Sequence, residues 1–308
     1  MKTSLLDYIC CPECLNSFKL VSYDSEKEEI FNGKLVCENC NIQFPISDGI
    51  PVILDEVGQM VNTQEAFSKQ WRLQSKGKLE RDTIYGKSES DELNEFKNTF
   101  DITDWNELKG KLILDAGCGS GRLTSNVAKV ATDATVIGID ISDGARVAYQ
   151  YSKRSPNYHI VQCDIKRLPF KRKFFDFIWS QGVIHHTQNT YYSFKKLLEA
   201  LSLKGKIYIL VYPNYIFGPY RFIRDILWKP YLIPKSFLLL LCWIIALPMY
   251  FVFTLREIIR RGKRKSKTTL RTFVFALFDN LAPEFQHRHS KKEVSDWFIN
   301  NKINDYRF

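Results

Sequence analysis

A chain of 308 residues with 45% hydrophobic and 25% charged residues has an ordinary folded composition, long enough for a full-sized core and a second, small module. Its first residues, "MKTSLLDYICCPEC", hold no apolar run of secretory-signal length, so a cytoplasmic start is expected and the eight cysteines read as metal ligands or core residues, not as a disulfide framework. The net charge of +10 is uneven, with eight Lys or Arg against one Glu between Arg256 and Arg271.

Two C-x-x-C pairs come first, Cys11 and Cys14 in "CPEC" and Cys37 and Cys40 in "CENC", separated by 22 residues. Each pair on a tight knuckle aims two thiolates at one tetrahedral zinc, and four thiolates leave no open position, so the zinc is structural. Cys10, beside Cys11, is a rival in register, but the two-residue gap to Cys14 favours Cys11. Between the pairs, "FKLVSY" and "GKLVC" read as strands and "YDSEKEEIFNG" as a polar turn. With the following "FPISDGIPVIL", residues 5–54 resemble the zinc-ribbon domain of tRNA-methyltransferase activator proteins, also found fused in front of other methyltransferases. This gives a ribbon over 1–55 and a second domain over 56–308. Next, "AFSKQW" and "RDTIYGKSESDELNEFKNTF" resemble the helical lead-in that methyltransferases fold over their cofactor, with Phe67, Trp71 and Tyr85 as contacts or plain core.

"KLILDAGCGSG" predicts a buried strand, a sharp turn and a helix opening near Arg122. Gly117, Gly119 and Gly121 make G-x-G-x-G, a loop that by itself is a weak signal for a dinucleotide. The acids choose the ligand. Asp115 closes the first strand, Asp140 closes "TVIGID", and Asp164 follows "HIVQCD". An acid in the cradle repels a pyrophosphate and attracts an ammonium and a sulfonium. Together with "FFDFIWSQGVIHHT" and "LKGKIYILVYP", these motifs over about 110–213 resemble the class I S-adenosylmethionine-dependent methyltransferases, in the branch whose members often act on small molecules. The resemblance implies an α/β fold: a doubly wound, mostly parallel, Rossmann-like sheet behind the small zinc ribbon, with a helical lid insertion. It also implies that Asp115 faces the methionine end of S-adenosylmethionine over the backbone of Gly117, Cys118, Gly119 and Gly121. Asp140 would accept both ribose hydroxyls, with Ile141 beside it as a further cofactor-binding residue, Asp164 and Ile165 would border the adenine, and Gln181 would lie near the transferred methyl.

His185 and His186, after the fourth strand of that sheet, stand where a base could take a proton from an acceptor hydroxyl. No metal-ligand cluster accompanies them, so metal-assisted transfer is not expected. From about 213 to 285 an insertion departs from the basic pattern, at the sheet edge where acceptors bind. It holds "FLLLLCWIIALPMYFVF", 17 uncharged residues broken by Pro248. Seventeen is the lower limit for a span, and a span here would part the last helix from its sheet. A buried lid hairpin or an element pressed into a bilayer is expected instead, and the following "REIIRRGKRKSK" suits anionic headgroups or a solvated helix end equally. Ser290 and Glu293 form a capping box, which puts His287, Arg288 and His289 before a helix N-terminus, with His289 as a third candidate catalytic residue. The final "INDYRF" is expected to supply a sixth strand.

The expected function is methyl transfer to oxygen or nitrogen of a small-molecule, glycan or lipid-linked acceptor, with peripheral contact to an anionic membrane as a further partner. An RNA methyltransferase is the alternative, weakened because the positive charge lies beside an apolar run. A non-catalytic partner using the ribbon to activate another protein is the third reading, weakened by the intact cofactor motifs.

Overall fold

The apolar run before each acid of the glycine-loop region becomes a buried strand, and the acid ends on its carboxyl end. The computed structural model describes residues 1–54, 61–79, 87–214, 223–261 and 268–308. The strands are β1 (Lys19–Glu26), β2 (Glu29–Cys37), β3 (Ile42–Ser47), β4 (Ile50–Ile53), β5 (Leu112–Ala116), β6 (Thr135–Asp140), β7 (Tyr158–Cys163), β8 (Phe175–Gln181) and β9 (Leu201–Leu210). They form one nine-stranded sheet in the order β1-β2-β3-β4-β7-β6-β5-β8-β9. The ribbon strands pair antiparallel, and β5 to β9 pair parallel. β4 belongs to both halves: Ser47 faces Ile50 antiparallel, while Val52 and Ile53 run parallel beside Gln162 and Cys163 of β7.

Alternation along the strands fills two layers. Ile113, Val136 and Ile160 point to one face, where they meet α2 (Glu89–Phe100), α3 (Arg122–Val130) and α4 (Gly144–Ser152) through Phe96, Phe100, Val127 and Ala148. Leu114, Ile137, Val161 and Ile178 point to the other, against Phe194 of α5 (Thr190–Ala200) and Trp297 and Phe298 of α8 (Lys291–Asn300). Leu5, Ile9, Leu35 and Phe44 of the ribbon join this second layer, so the ribbon shares a core with the parallel sheet. Polar ties add to it. The Lys2 ammonium donates to the carbonyls of Ser152, Ser155 and Tyr158 at 2.5–2.8 Å, joining the end of α4, the turn after it and the start of β7. Tyr149 donates to Glu29 at 2.5 Å, and Arg146 pairs with Asp48 at 2.6 Å.

A third cluster carries the insertion. α6 (Lys235–Arg261) and α7 (Leu270–Leu281) form a helical pair in which Leu238, Cys242 and Ala246 pack with Val274, Phe275 and Phe278, and α1 (Val61–Ser75) lies under them through Ala66 and Trp71. The insertion returns to its starting point: His289 N–H donates to the Tyr212 carbonyl and Asn214 N–H to that of His289.

Four expectations need correction. The polar stretch 23–33 is mostly strand, because β1 and β2 pair as far as Glu26 and Glu29 and confine the turn to Lys27 and Glu28. Pro248 lies inside α6 without ending it, since Ala246 holds the helix to α7 on one side and Tyr250 and Phe253 pack on Phe273 on the other. A lid buried on all sides is not formed either: Ile244, Leu247 and Phe251 are exposed. The terminal "INDYRF" is no strand. Arg307 is drawn to Asp101 and to the carbonyls of Asn98 and Thr99 at the end of α2, and Tyr306 stacks on Phe298, so the segment forms no ladder with β9.

Candidate active site and metal centre

Each C-x-x-C pair closes a knuckle whose following residue, Leu15 or Asn41, takes a left-handed backbone (φ 61° and 54°). The Sγ atoms of Cys11, Cys14, Cys37 and Cys40 then lie within 4.8 Å of one another, with Cys14 and Cys37 at 3.4 Å. Thiolates around a tetrahedral zinc with bonds of about 2.3 Å stand roughly 3.8 Å apart, so the four fit that ion. Cys10 is buried outside the group.

At the carboxyl ends of β5, β6, β7 and β8 a cavity of about 430 Å³ opens, in the size range of small-molecule sites. Asp115, Gly117, Cys118, Asp140, Ile141, Asp164, Ile165 and Gln181 line it, with Phe67 and Trp71 of α1 as cover. Tyr85 lies outside the described residues. Gly119 and Gly121 act on the loop without lining the cavity. Gly119 has φ +55°, and a Cβ there would come within 2.5 Å of the Trp71 ring, so the glycine lets the lead-in helix lie on the loop.

The acids are held in different ways. Asp140 accepts from Ser142 N–H (2.8 Å), Ser142 Oγ (2.5 Å) and Gly119 N–H (2.8 Å). A carboxylate has about four acceptor positions, so one remains for a ligand, not the two that both ribose hydroxyls would need. Asp164 caps the turn after β7 by accepting from Lys166 N–H. Asp115 receives the Thr124 hydroxyl at 2.5 Å, and burial, then the neighbouring Asp140 and Glu92, push its pKa up to about 7. Its charge is therefore poorly compensated by the protein, and a cationic ligand group supplies what is missing. With an adjacent glycine cradle and covering aromatics, this donor set fits S-adenosylmethionine.

The histidines separate. His186 lines the cavity; its Nδ1–H donates to the Phe285 carbonyl at 2.9 Å, and its buried Nε2 has no partner among the described residues. Burial lowers its pKa, which keeps the ring neutral and Nε2 an acceptor. His185 is fully buried, 4.1 Å from both the His186 and Tyr212 rings and off the cavity wall, which corrects its reading as an equal candidate for the base. His289 spends both ring nitrogens on Glu293 and Thr190 and lines a different, open groove of about 1700 Å³ along β9. That groove contains none of the glycine loop or the three acids. His287 donates its N–H to the His185 carbonyl, and Arg288 lies 5.4 Å over the Tyr212 ring.

Sequence reasoning missed one polar group on the wall. Asp279 of α7 accepts the Tyr212 hydroxyl at 2.5 Å and the Gln70 amide at 3.1 Å. Two signals were available: an acid inside the apolar run "FALFDNL", and a tyrosine just beyond a parallel strand's carboxyl end. Glu92 and Arg122, paired at 2.6 Å and largely buried, form another part of the wall.

Comparison with known proteins agrees with this geometry. Residues 114–209 match the profile of the "Methyltransferase domain", and residues 2–49 that of the "Trm112p-like protein". A UPF0434 protein of Hahella chejuensis is 42% identical over 65 residues, covering 21% of this chain and 95% of that protein. A malonyl-[acyl-carrier protein] O-methyltransferase of Legionella pneumophila is 26% identical over 110 residues, covering 34% of this chain and only 38% of the relative. Among solved structures, a Haemonchus contortus phosphoethanolamine N-methyltransferase 2 superposes with a TM-score of 0.37 at 23% identity, over 50% of this chain and 34% of the other. The chain carries an S-adenosylmethionine-dependent methyltransferase domain behind an N-terminal zinc ribbon that belongs with the Trm112p-like, UPF0434 proteins.

Proposed function

We propose that this methyltransferase acts on a hydroxyl or amine of a small-molecule, glycan or lipid-linked acceptor, with His186 as the base. The observation that carries this reading is the imidazole whose Nε2 has no partner among the described residues and stands on the cavity wall, close to the Tyr212–Asp279 pair. S-adenosylmethionine supplies a methyl already activated by the sulfonium. The protein therefore has to align the acceptor and remove its proton. His186 Nε2 takes that proton, while Nδ1–H stays on the Phe285 carbonyl and fixes the ring. Tyr212 and Asp279 orient the acceptor. Asp115 and Asp140 hold the methionine and ribose parts of the cofactor, Asp164 and Ile165 border the adenine, Gln181 lies toward the methyl, and Phe67 and Trp71 exclude water. The eight unpaired cysteines support a reducing, cytoplasmic setting, with peripheral membrane contact as the associated partner.

The test is transfer of labelled methyl from S-adenosylmethionine into fractionated lipid, glycan, small-molecule and RNA pools, with His186→Asn alongside. Label in a lipid, glycan or small-molecule pool, lost in the variant, is expected. Label confined to RNA replaces this reading with the nucleic-acid one.

A further inference from the structure

We infer that the outer face of α6 seats the enzyme on a bilayer with anionic headgroups, and that the acceptor is an amphiphile resident in that bilayer; the second half rests on the function proposed above. α6 is a two-sided helix. Leu238, Cys242 and Ala246 form its inner strip on Val274, Phe275 and Phe278 of α7. Phe237, Leu240, Ile244, Leu247, Phe251 and Ile258, spaced by three, four or seven, form an outer stripe that the protein leaves uncovered, with Ile244 and Leu247 60% exposed and Phe251 68%. Uncharged residues run without interruption from Ser236 to Leu255, about 30 Å of helix. A stripe of this length without polar relief is an interaction surface.

Charge selects the occupant. Lys235 stands at one end of the uncharged run, and exposed Arg256 and Arg260 stand at the other. The sequence then adds Arg261, Lys263, Arg264, Lys265 and Lys267 with no acid among them. An apolar stripe flanked by cations matches a bilayer interface, where acyl chains take the one and anionic headgroups the other. Although α6 is long and apolar enough to cross a membrane, a crossing would pull its inner strip off α7 and bare Val274, Phe275 and Phe278. Lying in the interface keeps that packing intact.

α7 of that pair walls the cavity. Phe275 of α7 meets the Trp71 ring with centroids 6.0 Å apart, Trp71 lines the cavity, and Asp279, one residue beyond Phe278, lines it too. α7 thus stands between α6, whose outer face would meet the bilayer, and the acceptor side of the site. An acceptor with its apolar part in the membrane and its hydroxyl or amine at the headgroup level has the shortest route to His186.

The experiment uses the full-length, zinc-loaded protein. Co-sedimentation is measured with vesicles of phosphatidylcholine alone and of phosphatidylcholine mixed with phosphatidylglycerol, at low and high salt. One variant carries Ile244→Asn, Leu247→Asn and Phe251→Asn; another carries Arg256→Ser and Arg260→Ser. Preferential binding to the anionic vesicles is expected, weakened by salt. Loss of the two arginines should lower it about 30-fold, and the asparagine variant should bind neither vesicle. Calorimetric affinity for S-adenosylmethionine should be unchanged in both, which shows that they are folded. With isolated membranes and labelled cofactor, label should enter the organic-solvent extract. Equal, negligible binding to both vesicle types overturns the seat, as does a wild-type dimer in ultracentrifugation that the asparagine variant abolishes. Label found only in water-soluble product overturns the amphiphilic acceptor. Failure of the wild-type protein to bind S-adenosylmethionine would instead strike the methyltransferase reading, whatever the vesicles show.

Discussion

The charge state of Asp115 gives the sharpest quantitative expectation. In the cofactor-free protein its pKa stands at about 7, raised first by burial and then by Asp140 and Glu92, against the single compensating hydroxyl of Thr124. A ligand presenting an ammonium or sulfonium favours the ionised form, so cofactor binding should release a proton wherever the empty site is protonated. The apparent affinity then scales with the ionised fraction of the empty site. With a pKa of about 7 it should be about twofold below its limit near pH 7 and about tenfold below near pH 6, the latter about 1.4 kcal/mol. The rise should flatten near pH 8, where the ligand's own α-amino group begins to lose its proton. Burial lowers the pKa of His186, which moves its titration away from this range. Calorimetry across these pH values, in buffers of different ionisation enthalpy, gives both the affinity and the number of protons released. Asp115→Asn should bind weakly and without the slope. Equal wild-type affinity near pH 6 and pH 8, or the same slope in the variant, would refute the argument. The sign for folding is the opposite: since the folded pKa lies above the unfolded one, this carboxyl's contribution to the stability of the empty protein is full below pH about 4 and lost as pH rises through about 7.

Asp140→Ala should weaken S-adenosylmethionine by about 2–3 kcal/mol, through one lost ligand bond and the released Gly119 and Ser142 amides; unchanged affinity in calorimetry would place the ribose elsewhere. His186→Asn should lower the methyl-transfer rate about 10²–10⁴-fold while leaving cofactor affinity alone, and a rate within a few-fold of wild type would leave the proton to another group. Metal analysis of freshly prepared protein should find one zinc per chain, and Cys37→Ser should lower solubility more than cofactor affinity, because the cluster ties β2 to the knuckles and not to the cavity.

What the sequence disclosed follows from how local each signal is. The cysteine knuckles, the glycine turn and the acids at strand ends are set by a few adjacent residues, so local structure alone gathers the four cysteines and brings Asp115, Asp140 and Asp164 to one cavity wall. His185 and His186 share the same local pattern; only the Phe285 carbonyl, 99 residues further on, distinguishes them by fixing one ring at the cavity and leaving the other in the core. Asp279 and Tyr212 escaped for the same reason, being joined by a bond across 67 residues. The terminal strand failed because Arg307 finds carbonyls and a carboxylate at the end of α2, more than 200 residues earlier. Periodicity made the apolar run of α6 visible, but only packing on α7 shows which side is spent and which is free.

The double allegiance of β4 changes what can be cut. A protease nick after residue 54 would sever the chain between the ribbon and the remainder, yet Val52 and Ile53 would still be laddered to β7, Lys2 would still cap carbonyls some 150 residues away, and Leu35 and Phe44 would remain in the common core. The fragments should travel together on a sizing column and melt in one transition. Because those contacts join the earliest residues to a strand made much later, the ribbon cannot complete its docking until β7 has formed, and a truncated nascent chain ending before residue 158 would carry an unsated sheet edge.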